Sequence, residues 1–340
     1  MKILYLIGNG FDINVGLNTS YQEFLEFYLD QPVPKKLDEV SARYINRLKE
    51  DIKGDIQLWS DLEFRYGKHM ARLGQMGSAV HSINEEFDII NDDIRDNLSK
   101  FIANQEKRLF FTEDAKKRFL ADLVDPETDF RDFEKNEVER RRKNVWHTTA
   151  NVIDIITFNY TKTIETLLGK TPIQSSGFEI NSPIHVHGYY DSRMIMGVND
   201  VSQIDNEDLR NNTYITDALV KSKNNHAYGI SHTNKCSQLI KGAQLICMYG
   251  LSFGETDKMW WQKICNELKE RSDLLVLVHW YVKDLPDYSN SGHKLQFRMN
   301  QTADKLLSLG GLAEGERSRY SNRVYVAINS PKFKFKIKED

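Results

Sequence analysis

The sequence predicts a parallel α/β sheet that carries a large helical insertion. Three observations lead there. Short runs rich in Val, Ile, Leu and aromatic residues, each bounded by turn residues, fall toward the two ends of the chain: Ile3–Ile7, Val152–Phe158, Ile184–Val186, Met194–Met196, Leu245–Tyr249, Leu274–Trp280 and Val324–Ile328. Runs such as Ile153–Ile156 do not alternate cleanly between polar and apolar, the pattern of a strand covered on both faces. Between the first and second runs, residues 21–147 read mainly as helix. The expectation is one Rossmann-like α/β domain over 1–340, with 21–147 as a helical insertion after the first strand–helix unit.

The elements follow in order. Ile3–Ile7 ends at Gly8-Asn9-Gly10-Phe11-Asp12, where two residues without a Cβ permit a sharp turn and close approach of an anion. A helix starting there would aim its free N–H groups at the same spot. The dinucleotide fingerprint is incomplete: its third glycine position is Ile13. The nearest acidic residue at about 20 positions on, Asp30, follows a helical stretch at Glu23–Leu29. A plain glycine turn fits this segment equally well. Gln31-Pro32-Val33-Pro34 reads as a loop, Ser41–Ile52 and Ile83–Lys107 as helices, and Asp125-Pro126-Glu127-Thr128 as a break. Lys135–Lys143 is charge-dense; Glu137 and Glu139 beside Arg140-Arg141-Arg142 favour a solvated helix face over a phosphate contact. A helix is expected near Thr161 and another over Asp257–Leu268. Lys332–Lys338 alternates Lys with Phe and Ile, as an amphipathic edge strand guarded by lysines would.

Composition narrows the classes. A net charge of −3 gives no reason to expect nucleic acid as a partner. Cys236, Cys247 and Cys265 form no CxxC pair or disulfide framework, which fits a cytoplasmic location; Cys247, in an apolar run, reads as core. No stretch is apolar for long enough to span a membrane, so no membrane partner is expected, and the opening apolar run breaks too early for a signal peptide.

Four motifs share one position at the end of a strand-like run, where open parallel sheets bind ligands. They are Gly8-Asn9-Gly10-Phe11-Asp12, Thr157-Phe158-Asn159-Tyr160-Thr161, His185-Val186-His187-Gly188 and Gly250-Leu251-Ser252-Phe253-Gly254. One shared nucleotide pocket is expected. Asn159 offers an amide to a ribose oxygen or a water, or else caps the next helix. His185 and His187 lie on one strand face, but no third ligand stands at zinc spacing, so no metal is expected; one histidine faces the pocket and the other supports it. Gly188 permits close backbone approach. Ser252 suits a phosphate or ribose contact, or is a turn residue. Trp59, Asp61 and Glu63 line the pocket or, as the favoured reading, Trp59 anchors a core and the acids are solvated.

In this order the motifs resemble the bacteriophage abortive-infection AbiH family. The resemblance opens at Gly8–Asp12 with Thr19-Ser20-Tyr21-Gln22-Glu23-Phe24. It continues through Trp59-Ser60-Asp61-Leu62-Glu63 and the three later motifs to Gly254-Glu255-Thr256-Asp257. The order is also similar to a remote sirtuin-type pattern, without the paired CxxC zinc module and with Asn9 between the glycines. That resemblance implies a sirtuin-related sheet, NAD as substrate or ligand, and catalysis by Asn159 and His187; Asp12 departs from the pattern, standing near a small or hydroxyl residue's position, and is expected to join them as a carboxylate that stabilises positive charge on the sugar. It places Gly8, Gly10, Gly250 and Ser252 around the nucleotide, and Asn9, Phe11, Thr157, Phe158, Tyr160, His185 and Gly188 of the same strand-end motifs are expected to line the site with them. The function implied is a phage-defence effector that hydrolyses the N-glycosidic bond of NAD or a relative. The alternatives are a nucleotide sensor without turnover and a nucleic-acid-directed enzyme. A phage-derived trigger or partner protein, and self-association, remain open.

Overall fold

The structure is a computed structural model that describes residues 1–57, 61–70, 73, 82–146, 150–227, 232–285 and 291–338. The chain forms two compact units: Met1–Leu17, Arg108–Val186 and Asn234–Asp340 make the first, and Asn18–Lys107 with His187–Thr233 the second.

The first unit is built on an eight-stranded sheet: β1 (Lys2–Ile7), β2 (Val152–Thr157), β3 (Ile173–Ser175), β4 (Phe178–Ile180), β5 (Ile184–His185), β6 (Leu245–Tyr249), β7 (Leu275–Trp280) and β8 (Val324–Ile328). The order is β3-β4-β2-β1-β6-β7-β8, with β5 also paired to β2. Every pairing is parallel except that of β3 with β4. The fold is thus the expected α/β class with a Rossmann-like sheet. Strand side chains alternate between two cores. Ile3, Tyr5 and Ile7 join one with Phe11, Phe119 and Val138, while Leu4 and Leu6 join the other with Trp261, Ile264 and Leu306. Helices on both faces explain the unbroken apolar runs.

β1 sits between β2 and β6. The chain leaves β1 for one side and returns at β6 on the other, so a topological switch lies at the carboxyl ends of β1 and β6. Helices Glu113–Val124 and Asp132–Asn144 belong to this unit. On the second of these, Arg140 and Arg141 pair with Glu137, and Lys143 pairs with Glu139, as the charge pattern predicts. Arg142 reaches Glu127 at 2.8 Å. The hairpin β3–β4, absent from the sequence reading, turns through Ser176 and Gly177, both at positive φ.

Two expected strands are corrected. Lys332–Lys338 is not a strand: it opens in a turn at Lys332 and Phe333, with Phe333 at φ +56°. Its alternation serves a core instead: Phe333, Phe335 and Ile337 are buried while Lys334, Lys336 and Lys338 are exposed. Lys332 is itself buried, 3.5 Å from Asp122. Met194–Met196 lies in the second unit, buried but not a strand. Its main-chain groups bond to scattered partners, Ile195 N–H to the His187 carbonyl and the Met194 carbonyl accepting from Arg95, and no strand pairs with it among the described residues.

The second unit is helical. Tyr21–Asp30, Glu39–Gly54, Leu62–Met70 and Ile83–Glu106 come from its first segment, and three short helices between Glu207 and Ala227 from its second. Two begin with capping boxes. The Ser20 hydroxyl accepts from Glu23 N–H while Glu23 accepts from Ser20 N–H, and Ser82 with Glu85 repeats the arrangement.

Candidate functional site

The glycine turns come first. Gly8 N–H donates to the Tyr249 carbonyl and Gly10 N–H to the Gly250 carbonyl, each at 2.9 Å. A Cβ on Gly8 would stand 2.6 Å from the Gly250 oxygen, and one on Gly10 2.6 Å from its Cα. Gly250, at φ +68°, would place a Cβ 2.5 Å from Phe11 N. The three glycines therefore let the β1 and β6 turns lie backbone on backbone at the switch. This mutual packing accounts for their lack of side chains.

The short helix Gly10–Val15 leaves this turn and carries Asp12 inward. Asp12 is almost wholly buried, and the Thr161 hydroxyl donates to its Oδ2 at 2.6 Å. Thr163 donates to Thr161 at 2.9 Å, forming a short relay of hydroxyls. Burial pushes the Asp12 carboxyl up to about 6; Thr161, Thr163 and Asn159, then the charge of His185, pull in the opposite direction.

The β2 end supplies the opposing wall. Phe158 N–H donates to the Ile7 carbonyl, continuing the ladder with β1. Asn159 N–H then turns back onto the Thr157 hydroxyl at 3.2 Å. Asn159 is only 4 % exposed. Its amide lies close enough to Asp12 to act as a donor that holds that carboxyl down, while its Oδ1 has no hydrogen-bond partner among the described residues. Thr157 pairs in register with His185 of β5. The His185 Nδ1 lies 2.8 Å from the Asn159 carbonyl and its Nε2 2.8 Å from Glu165 Oε1. Asp12, Asn159, Thr161 and His185 thus form one buried polar cluster beside the crossed glycine turns.

A family model described as bacteriophage abortive infection AbiH matches residues 4–279, most of the chain and all four strand-end motifs. The chain belongs to the AbiH family. Its role is accordingly in phage abortive infection. None of the curated proteins compared with it matches. Among the described residues of this AbiH chain, no helix is long and apolar enough to cross a membrane, and no three His, Cys, Asp or Glu side chains gather as metal ligands.

The remaining AbiH motif residues fall into distinct places. Phe11 packs its ring against Phe119, Tyr249 and Phe333, so only its main chain borders the turn. Phe158 stacks on Trp261 and Tyr160 is buried. Asn9 precedes the Asp12 helix, with no side-chain cap bond. Ser252 is exposed, and its carbonyl accepts from Lys305 at 2.8 Å. Cys236, Cys247 and Cys265 are buried, with thiols pushed up by burial, to about 12 for Cys236 and Cys265. None has the lowered value of a nucleophile.

His187 and Gly188 belong to the second unit. The His187 carbonyl accepts from Ile195 N–H at 2.8 Å. Gly188, at φ +71°, would place a Cβ 2.0 Å from the Arg193 carbonyl, so it serves a tight turn. Trp59 and Ser60 lie outside the described residues. Asp61 accepts from Phe64 N–H at 3.2 Å, at the start of its helix. Glu63, expected to be solvated, is instead buried and 2.7 Å from Lys221. A buried carboxylate requires a partner, and this one arrives from far along the chain.

Three contributors escaped the sequence reading: Thr161 and Thr163 as donors toward Asp12, and Glu165 as the partner of His185. The available signal was the alternation Thr161-Lys162-Thr163-Ile164-Glu165 directly after the Asn159 motif.

Proposed function

We propose that this chain is a phage-defence effector that binds NAD, or a related nucleotide, at the carboxyl ends of β1, β2 and β5 and hydrolyses its N-glycosidic bond. Asn159 carries the reading. A buried carboxamide oxygen with no hydrogen-bond partner among the described residues is costly, and a ribose hydroxyl or a water would satisfy it. Asn159 stands beside Asp12 at the carboxyl end of β2, one strand over from the topological switch between β1 and β6, the region where nucleotides bind in open parallel sheets.

The chemistry follows from those groups. Water attacks the ribose C1′ as the C–N bond breaks. The bonding pair stays on the nicotinamide nitrogen, and the sugar carries positive charge in the transition state. The Asp12 carboxylate, ionised above about pH 6, stabilises that charge. Asn159 orients the water, whose proton passes to solvent. The motif resemblance names His187 as a second residue of the reaction, and that part rests on the resemblance alone.

The test is release of nicotinamide and ADP-ribose by the purified protein, alone and with phage-infected lysate. Asn159→Ala and His187→Ala are assayed beside it, with folding checked by circular dichroism. Wild type is expected to consume NAD and each variant to lose about 100-fold or more. Equal rates at equal stability would remove the site assignment. NAD binding without turnover in every condition would make the protein a sensor. EDTA-sensitive cleavage of DNA or RNA would move the reading to nucleic acid.

A further inference from the structure

The helix Gly10–Val15, which carries Asp12, is only six residues long. An isolated helix needs roughly 12–15 residues to persist in water, so contacts from elsewhere fix this one. The glycine turn holds its start. At its end, the carbonyls of the last turn find no partner inside the helix. The segment that follows β8 supplies them. Ile337 N–H donates to the Val15 carbonyl at 2.8 Å, and the Lys336 ammonium donates to the Asn14 carbonyl. A donor and a cation on the last carbonyls are what a helix C-terminus favours. The grip is mutual, since Asn14 Nδ2 donates to the Phe333 carbonyl at 2.7 Å. The Phe11 ring, one residue before Asp12, packs on Phe333 at 5.3 Å and on Phe335 at 6.5 Å between centroids. The segment has anchors of its own. Phe333 N–H donates to Asp122 Oδ2 at 2.8 Å, the Tyr249 hydroxyl to the Lys332 carbonyl at 3.1 Å, and Lys338 N–H to the Phe110 carbonyl at 2.8 Å.

We propose that residues 333–337 form a strap that positions Asp12: Ile337 and Lys336 hold the end of its helix, and Asn14 ties that helix back to Phe333. The strap takes its purpose from the nucleotide-cleavage reading, but its physical content stands apart from turnover. It is anchored on both sides of the helix contacts, so it fixes where the helix lies. That in turn sets the 2.6 Å bond between Thr161 and Asp12 Oδ2 and keeps the carboxyl out of water. No residue of the strap touches a reacting atom in this scheme.

The experiment is ¹³C NMR titration of Asp12 in the full chain, with amide exchange at Leu17 and nicotinamide release measured on the same samples. Wild type is compared with Ile337→Pro, which removes the donor to Val15, and Asn14→Ala, which removes the donor to Phe333. Lys334→Met, at an exposed lysine between Phe333 and Phe335, is the control. The Asp12 signal is identified by its loss in Asp12→Asn. In Ile337→Pro and Asn14→Ala the Asp12 midpoint is expected to fall by about one pH unit, as water reaches the carboxyl. Leu17 N–H, which bonds the Asp12 carbonyl at 3.0 Å, should exchange about 10-fold faster. Nicotinamide release at pH 7 should fall about 10-fold or more. Lys334→Met should match wild type in all three. A segment that merely completed the core would lower the melting temperature and leave the Asp12 midpoint of the folded protein in place; that result overturns the proposal. So does an equal shift in Lys334→Met, or a shifted midpoint with undiminished turnover. Should Ile337→Pro fail to fold, Asn14→Ala decides. If midpoint and exchange move as expected and activated wild type releases no nicotinamide, the cleavage reading falls and the strap stands.

Discussion

Asp12 shows how a single residue can weigh on both stability and chemistry. Its carboxyl titrates near 6 instead of the ordinary 3.8, chiefly because burial penalises the charged form. A raised folded-state value favours the folded protein when the group is protonated. That contribution is full below pH 3.8 and lost as pH rises through about 6. The loss over that window is about 3 kcal/mol. Asp12→Asn removes it, so on passing from pH 4 to pH 7 the variant should gain about 3 kcal/mol relative to wild type in urea unfolding. A difference independent of pH would show that Asp12 is not the titrating group. The same variant should lose nucleotide turnover at pH 7, setting activity against stability at one atom pair.

At the scale of elements, the crossed glycine turns and the C-terminal segment hold the β1–β6 region. Gly250→Ala must place a Cβ at φ +68° and 2.5 Å from Phe11 N. The expected cost is about 2 kcal/mol or more. Gly254, four residues on, would set its Cβ 3.6 Å from Thr256 Oγ1, an ordinary contact, at a backbone angle open to any residue. Gly254→Ala should stay within about 0.5 kcal/mol of wild type. Similar losses in both, read from thermal melts, would contradict the close-approach account. Phe333 is wholly buried, with Phe11 at 5.3 Å and Tyr249 at 4.9 Å between ring centroids. Phe333→Ala should cost about 3–5 kcal/mol. A near-neutral effect on the urea midpoint would mean that the terminal segment is not part of the core.

For the molecule as a whole, each unit binds distant stretches of chain. The sheet of the first gathers strands from residue 2 to residue 328. In the second, the Glu63–Lys221 pair joins helices from its two segments at 2.7 Å, with both side chains about 7 % exposed. Removing one partner leaves the other's buried charge without its opposite charge at 2.7 Å. Lys221→Met should therefore destabilise the protein by about 3–5 kcal/mol, while adding Glu63→Leu should recover most of the loss. Urea unfolding of the single and double variants measures the difference. If the double variant is as unstable as Lys221→Met, the ion pair is not the source. Native-state hydrogen exchange would locate the loss in residues 18–107 and 187–233.

The α/β class, the parallel pairing and the strand-end position of the motifs were legible in the sequence, because short unbroken apolar runs followed by glycine or polar residues reflect local burial and turn chemistry. Ser20-x-x-Glu23 and the acidic–basic spacing on Lys135–Lys143 are local in the same way. Polarity alone left open which partner each buried group would find. Glu63 meets Lys221, His185 meets Glu165, and Asp12 meets Thr161, pairings that depend on the folded path of the chain. Alternation in Lys332–Lys338 announced one buried face but not whether a strand or a packed core would cover it. Met194–Met196 was apolar enough for a strand and lacked only a neighbour. Gly8 and Gly10 read as room for an anion to approach, and only the tertiary structure brought them against Gly250. A sequence records which groups must leave water or turn sharply; three-dimensional packing decides what they meet when they do.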